Sequence, residues 1–278
     1  MQKKNNVLRM TESAIMIALA VVLSEIQIVN MPFGGSVTAF SMLPVIIIAY
    51  RYGTRWGIFT GGVYGLFQML LGMNTLRYGT SFWSLLCIIL FDYVVAFGVL
   101  GLGGVFRKAI PNQGVALASG SLLVSVLRYI CHFISGWAVW GVWAPEGMPA
   151  WQYSLGYNAT YMVPEAIVTI VGALLISLFL DFTSRDITRR AKQAAALSER
   201  NNAAVAAKML GLGTVAGGIL YDIFAAVNVL FVAEADVPSE MMLKVLAVTA
   251  IAGVVLYALG EVVQLLSDLR GQKSDTNE

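Results

Sequence analysis

Apolar positions along this chain gather into long runs of about 17 to 25 residues, the length an α-helix needs to cross a hydrocarbon core roughly 30 Å thick. The short alternating segments of an outer-membrane barrel are not the pattern here. The runs predict helices near 11–29, 37–50, 55–72, 81–106, 114–141 and 159–182, then two more near 209–232 and 241–267. Between the two groups, residues 183–208 are polar and rich in Ala, Arg, Lys and Gln, with helical character but too little hydrophobicity to span. The expected organisation is therefore all-α and integral to the membrane: a six-helix domain over 1–182, a polar cytoplasmic linker or helix over 183–208, and a two-helix membrane extension over 209–278. No soluble-repeat period and no inverted duplication of the kind found in many secondary transporters is visible.

Composition agrees with the pattern. Of 278 residues, 58% are hydrophobic and 12% charged, against roughly 25% charged in a soluble domain; the mean hydropathy is +0.75. A net charge of +2 gives no field that would attract nucleic acid or a strongly acidic partner. The placement of the charges says more. Lys3, Lys4 and Arg9 precede the first helix, Arg51 and Arg55 lie between the second and third, Arg107 and Lys108 between the fourth and fifth, and Arg185, Arg189 and Arg190 after the sixth. The positive-inside rule puts these on the cytoplasmic side, with both termini, while Glu146 and the group Glu234, Asp236 and Glu240 fall on the other; Arg77 is the exception. The first apolar run is expected to stay as an uncleaved helix, because no small-residue cleavage site follows it. Cys87 and Cys131 sit within apolar stretches, without zinc or disulfide spacing, and read as packing residues. No metal site or cofactor is expected. Nor does the chain carry G-x-x-x-x-G-K-[ST], so ATP-driven work would need a borrowed motor.

Ionisable side chains within predicted spans are the candidate chemistry, since each costs at least about 2.5 to 3.5 kcal/mol unless it faces the interior and finds a partner. Asp92, Arg128, His132 and Glu165 qualify. Counting from the predicted outer helix ends, Asp92 lies roughly 16 Å deep, His132 about 14 Å and Glu165 about 9 Å. On the fifth helix Arg128, His132, Gly136 and Trp140 recur every four residues and share a face. Gly136 would leave room for a flat ring to approach the backbone. The following segment, from Trp143 to Asn158, holds Trp151, Tyr153, Ser154 and Tyr157 and is expected to form a loop that lids an outward-opening pocket. A carboxylate among Trp and Tyr faces suits a flat heteroaromatic cation. Each feature also has a plainer reading: Asp92 with Arg128 as a structural ion pair, His132 as a packing residue, Trp137, Trp140 and Trp143 as an interfacial belt.

Two small-residue patterns allow close helix approach: Ala14-x-x-x-Ala18, and Gly57-x-x-x-Gly61-x-x-x-Gly65, which is expected to pack inside the bundle. Four stretches taken in order carry a family resemblance: Met31-Pro32-Phe33-Gly34-Gly35-Ser36, Asp92-Tyr93-Val94-Val95-Ala96-Phe97, Leu127-Arg128-Tyr129-Ile130-Cys131-His132-Phe133-Ile134-Ser135-Gly136, and Tyr153-Ser154-Leu155-Gly156-Tyr157-Asn158-Ala159-Thr160-Tyr161. Together they resemble the ThiT/YuaJ family, the thiamine-specific substrate-binding S components of energy-coupling factor (ECF) importers, over residues 8–182.

The resemblance implies a six-helix S-component fold that binds thiamine from outside the cell and hands it to an energizing module. It places substrate contacts at Asp92, Tyr93, His132, Gly136, Trp140, Tyr153 and Asn158, with Phe33 as the candidate for a first-loop aromatic. It gives Ala14 and Ala18 the docking of a transmembrane coupling subunit that works with two ATPases. The protein is then a non-enzymatic, multi-pass subunit in the cell membrane. The alternatives are an S component for another heteroaromatic vitamin, an intramembrane enzyme using Asp92, His132 or Cys131, and a ligand-free scaffold. A single histidine and no H-e-x-x-H pattern argue against a metalloprotease.

Overall fold

The computed structural model describes residues 2–31, 34–184 and 186–189, together with Ile251, Val255, Ala258, Leu259 and Val262. Phe33, Arg185, Arg190, the 209–232 helix with Asp222, the acidic group at 234–240, Glu261 and most of the 183–208 linker lie outside the described residues. The chain falls into two units, Met1–Thr188 and Arg189–Glu278, and all the helices named below belong to the first.

That unit is helical, and four of its helices are long and apolar enough to cross a membrane: Asn6–Glu25, Phe82–Arg107, Gln113–Ala138 and Ala150–Phe179. In chain order the helices are α1 (Gln2–Glu25), α2 (Leu43–Tyr52), α3 (Thr54–Leu71), α4 (Phe82–Arg107), α5 (Gln113–Ala138) and α6 (Ala150–Phe179). The protein is thus a multi-pass membrane protein. α2 has only 10 residues and is buried from Leu43 to Arg51, as expected of a helix apolar on every side. Its Val45 and Ile46, with Leu100 of α4 and Leu117 and Val124 of α5, are wholly shielded and belong to the core. The glycine ladder of α3 packs internally: a Cβ on Gly57 would strike Ala49 of α2 and Gly101 of α4, and one on Gly65 would lie 2.7 Å from the Tyr93 carbonyl oxygen.

The first helix runs Gln2–Glu25 and not 11–29, and the fifth stops at Ala138, short of 141; three further departures from the sequence expectation shape the site. The second helix does not begin at 37, because Ser36–Thr38 pairs antiparallel with Gln27–Asn30 in a hairpin. The turn between them uses Gly34 and Gly35 at φ 95° and 91°, a region open to glycine. A Cβ on Gly35 would also lie 2.6 Å from the Tyr161 ring. The sixth helix begins at Ala150, not 159, so Trp151 to Asn158 form its first turns, not a loop. Pro149 precedes it with no interior breaker following until Pro164. Polar and aromatic residues lower hydropathy there without lowering helicity. Glu165 therefore lies about 22 Å along its helix instead of 9 Å. Finally, α4 is not uniform: it widens into a π-helix over Ile88–Val94 and tightens to 3₁₀ geometry over Val99–Arg107. Asp92 sits in the wide segment, where π geometry often marks functional residues.

One end of the bundle is basic and cross-linked by hydrogen bonds. Arg51 grips Glu12 through Nε and Nη2 at 2.8 and 2.9 Å, and Tyr52 donates to the same carboxylate at 2.7 Å. Arg51 Nη1 donates to the carbonyls of Phe182 and Ser184, and Arg107 to that of Tyr50. These bonds tie α1, α2 and α4 to the end of α6.

Candidate functional site

At the other end a cavity of about 380 Å³ opens between the end of α1, the hairpin and helices α3 to α6. Asp92, Tyr93, His132, Gly136, Trp140, Tyr153 and Asn158 all line it, and so do Arg128 and Glu165.

The centre is Asp92. Its Oδ1 lies 3.1 Å from His132 Nδ1, and its Oδ2 accepts from Ser135 Oγ at 2.7 Å and from Trp140 Nε1 at 3.2 Å. Ser135 follows His132 by about one turn of α5, and Trp140 opens the 3₁₀ turn Trp140–Trp143 just beyond the end of that helix, so all three groups reach one carboxylate. With Nδ1 committed to the carboxylate, Nε2 is the ring nitrogen left for another partner. That Nε2 is shielded from solvent and has no partner among the described residues. The Asp92–Arg128 ion pair considered from sequence does not form; Asp92 takes His132 instead. Glu165, 1% exposed, is not Arg128's partner either: it accepts from the Thr38 N–H at 2.6 Å and the Thr38 hydroxyl at 2.7 Å, pinning the hairpin to α6.

The remaining predicted residues divide by what their polar atoms do. Asn158 donates to the carbonyls of Ser154 and His132 at 2.9 and 3.2 Å and accepts from Tyr161 at 2.6 Å, so its amide mainly joins α6 to α5. Gly136 serves the same contact: a Cβ there would collide with Ser154 Oγ and lie 2.9 Å from Asn158 Nδ2, so helix α6, rather than a ligand ring, uses the space. Tyr93 bonds Thr75 Oγ1 and the Gly72 carbonyl, holding the 3₁₀ turn Met73–Tyr78. Tyr153 stacks on Tyr157, centroids 5.7 Å apart.

Over the mouth stands an aromatic cluster the sequence only half revealed. Tyr78 packs on Trp140 at 5.0 Å and edge-on to Trp143 at 6.1 Å between centroids. Trp151 and Trp137 are exposed and do not line the cavity. Ser135 and Tyr78 were not singled out. Ser135 was discoverable, lying three residues from His132; Tyr78, in a short turn beside Arg77, carried no such signal.

The fold and this cavity define an α-helical, multi-pass membrane protein with the Asp92 carboxylate at the centre of its cavity and an aromatic mouth suited to a small organic solute. The thiamine transporter protein (Thia_YuaJ) family matches residues 10–184. The chain belongs to that family, a transport family and not an enzymatic one. It is 37% identical over 187 residues to "Thiamine transporter ThiT" of Bacillus subtilis, covering 63% of this chain and 93% of that protein. It is 30% identical over 202 residues to "Thiamine transporter ThiT" of Lacticaseibacillus paracasei, covering 67% and 96%. A solved structure of ThiT from Listeria monocytogenes aligns with 62% of this chain and 93% of its own, at 26% identity and a TM-score of 0.48.

Proposed function

We propose that this chain is the thiamine-binding S component of an ECF importer, resident in the cell membrane with both termini in the cytoplasm. The basic end, with Arg51, Arg55, Arg107 and Lys108, is then the inner one, and the cavity faces outward. The observation that carries the reading is the unpartnered ring nitrogen His132 Nε2 beside the Asp92 carboxylate, which Trp140 Nε1 also contacts.

Thiamine joins a permanently cationic thiazolium to an aminopyrimidine. The charge of Asp92 attracts the cation, the aminopyrimidine supplies a hydrogen-bond partner for His132 Nε2, and the flat rings gain from stacking on indole, with cation–π attraction of about 0.5 to 2 kcal/mol. The named relatives support thiamine over another vitamin. Since the chain has no P-loop, import needs outside energy, for which the proposed source is a transmembrane coupling subunit with two ATPases, docked through Ala14 and Ala18. Both alanines lie exposed on α1.

Titrating the purified protein with thiamine while following tryptophan fluorescence tests this. Saturable quenching at a one-to-one ratio is expected. No response to thiamine, with a response to a different vitamin, would overturn the ligand assignment.

A further inference from the structure

The cavity contains a charged group that the thiamine reading leaves unused. Arg128 stands one turn, about 6 Å, from His132 on α5, on the side away from Trp140, and lines the same cavity. Its guanidinium lies over the Phe97 ring, 4.4 Å from the centroid. Among the described residues it makes no hydrogen bond and no ion pair, and its Nε is shielded from solvent. Of the described carboxylates, three line the cavity: Asp92 is engaged by His132, Ser135 and Trp140, Glu165 by Thr38, and Glu25, at the end of α1, makes no ion pair with Arg128.

A guanidinium offers five N–H donors in a rigid fork and no acceptor, and stays charged. Stacking on Phe97 fixes its plane but uses none of those donors. Nε is shielded from water without an acceptor among the described residues, and leaving a buried donor unpaired is costly, so this position calls for an oxygen. The cavity therefore has two chemically opposite parts: Asp92, His132 Nε2 and Trp140 take a cation, a hydrogen-bond partner and a ring, whereas Arg128 takes only an acceptor.

We infer that Arg128 is a specificity-determining residue that reads the oxygen-bearing end of the ligand, so that the ligand lies with its rings toward Asp92 and Trp140 and its oxygen toward the guanidinium. This rests on the thiamine reading, in which the oxygen is that of the hydroxyethyl tail. A phosphate ester at that oxygen is the other source of the same acceptor chemistry.

The test is equilibrium titration of the full-length protein, wild type, Arg128→Met and Arg128→Lys, with thiamine, the analogue lacking the tail hydroxyl, and thiamine monophosphate. Wild type should bind thiamine about ten- to a hundredfold tighter than the deoxy analogue, the range of a hydrogen bond to a charged group. Arg128→Met should bind those two alike, and Arg128→Lys should keep part of the gap. Tighter binding of the monophosphate than of thiamine, abolished in Arg128→Met, would assign the subsite to a phosphoryl group. Equal affinity of wild type for thiamine and the deoxy analogue would overturn the inference, and that comparison needs no variant to fold. A gap that survives intact in Arg128→Met would overturn it too. Binding of none of the three would overturn the thiamine reading itself, and this inference with it.

Discussion

Glu12 at the basic end and Asp92 at the aromatic end are both carboxylates held by groups from other helices, but their surroundings are completed differently. Glu12 receives the Nε and Nη2 of Arg51 and the Tyr52 hydroxyl, and Arg51 spends its last nitrogen on two carbonyls. Nothing in that cluster asks for a further partner. Asp92 receives a histidine, a serine and an indole, all of which could be satisfied in other ways, and the histidine keeps an idle nitrogen. Charge alone does not distinguish a structural cluster from a binding one. What distinguishes them is whether the donors and acceptors balance within the protein.

Breaking the balanced cluster should cost the fold. The Arg51 side chain is 3% exposed, and Arg51→Met strands Glu12 beside two uncapped carbonyls. Removing one member of a buried pair costs about 3 to 5 kcal/mol. Thermal unfolding in detergent should show that loss, while thiamine affinity of the folded fraction stays at the wild-type value. Asp92→Asn should do the reverse. The isosteric amide loses the negative charge facing the cavity, worth about 1.5 to 3 kcal/mol where a charged group bonds directly, so affinity should fall about ten- to a hundredfold with little change in melting temperature. Calorimetric titration measures it. An Asp92→Asn protein that unfolds early but binds normally would erase the contrast between the two ends.

How far the sequence carried depended on the kind of signal each element emits. Hydropathy located α1, α4 and α5 because a membrane helix must be apolar for about 20 residues. It misplaced the start of α6, where Tyr153 and Asn158 face α5 and the cavity rather than lipid, so that helical residues read as loop. It missed the hairpin, which is only 4 and 3 residues on a side and is held by Glu165, 127 residues from Thr38 in sequence. Four-residue spacing grouped Arg128, His132 and Trp140, although Trp140 lies in a 3₁₀ turn beyond the end of α5, and it could not say which carboxylate each would meet. That choice is set by the π-helix at Ile88–Val94, which turns Asp92 toward His132, and local pattern carries no trace of it.

The aromatic mouth is a weaker member of the binding end, and its effect belongs to rates. Tyr78 does not line the cavity; it braces Trp140 and Trp143 from behind. Aromatic pairs are worth about 0.5 to 1.5 kcal/mol beyond their buried area. Tyr78→Ala should therefore speed thiamine dissociation about two- to tenfold in stopped-flow fluorescence, leaving association nearly unchanged. If Tyr78→Ala instead abolished binding, Tyr78 would have to act on the ligand directly.

The smallest effect on binding is expected where the proposed partner surface lies. Ala14 and Ala18 are exposed on α1 beside Ile15, Leu19 and Val22, themselves 61%, 44% and 60% exposed. The inward face of that helix is occupied: Ser13 accepts from Trp56 Nε1 at 2.8 Å, and the Ala20 carbonyl from the Tyr64 hydroxyl. Small residues on the outward face permit close approach of another helix, and in lipid such packing, without a hydrophobic drive, depends on that closeness. Ala14→Leu with Ala18→Leu should thus leave thiamine affinity within about twofold, since neither residue lines the cavity, yet stop uptake in cells supplied with the coupling subunit and ATPases. Uptake at the wild-type rate would move the docking surface elsewhere. Lost binding would mean that α1 communicates with the cavity through Ser24 and Gln68, which are joined at 2.7 Å and both line it.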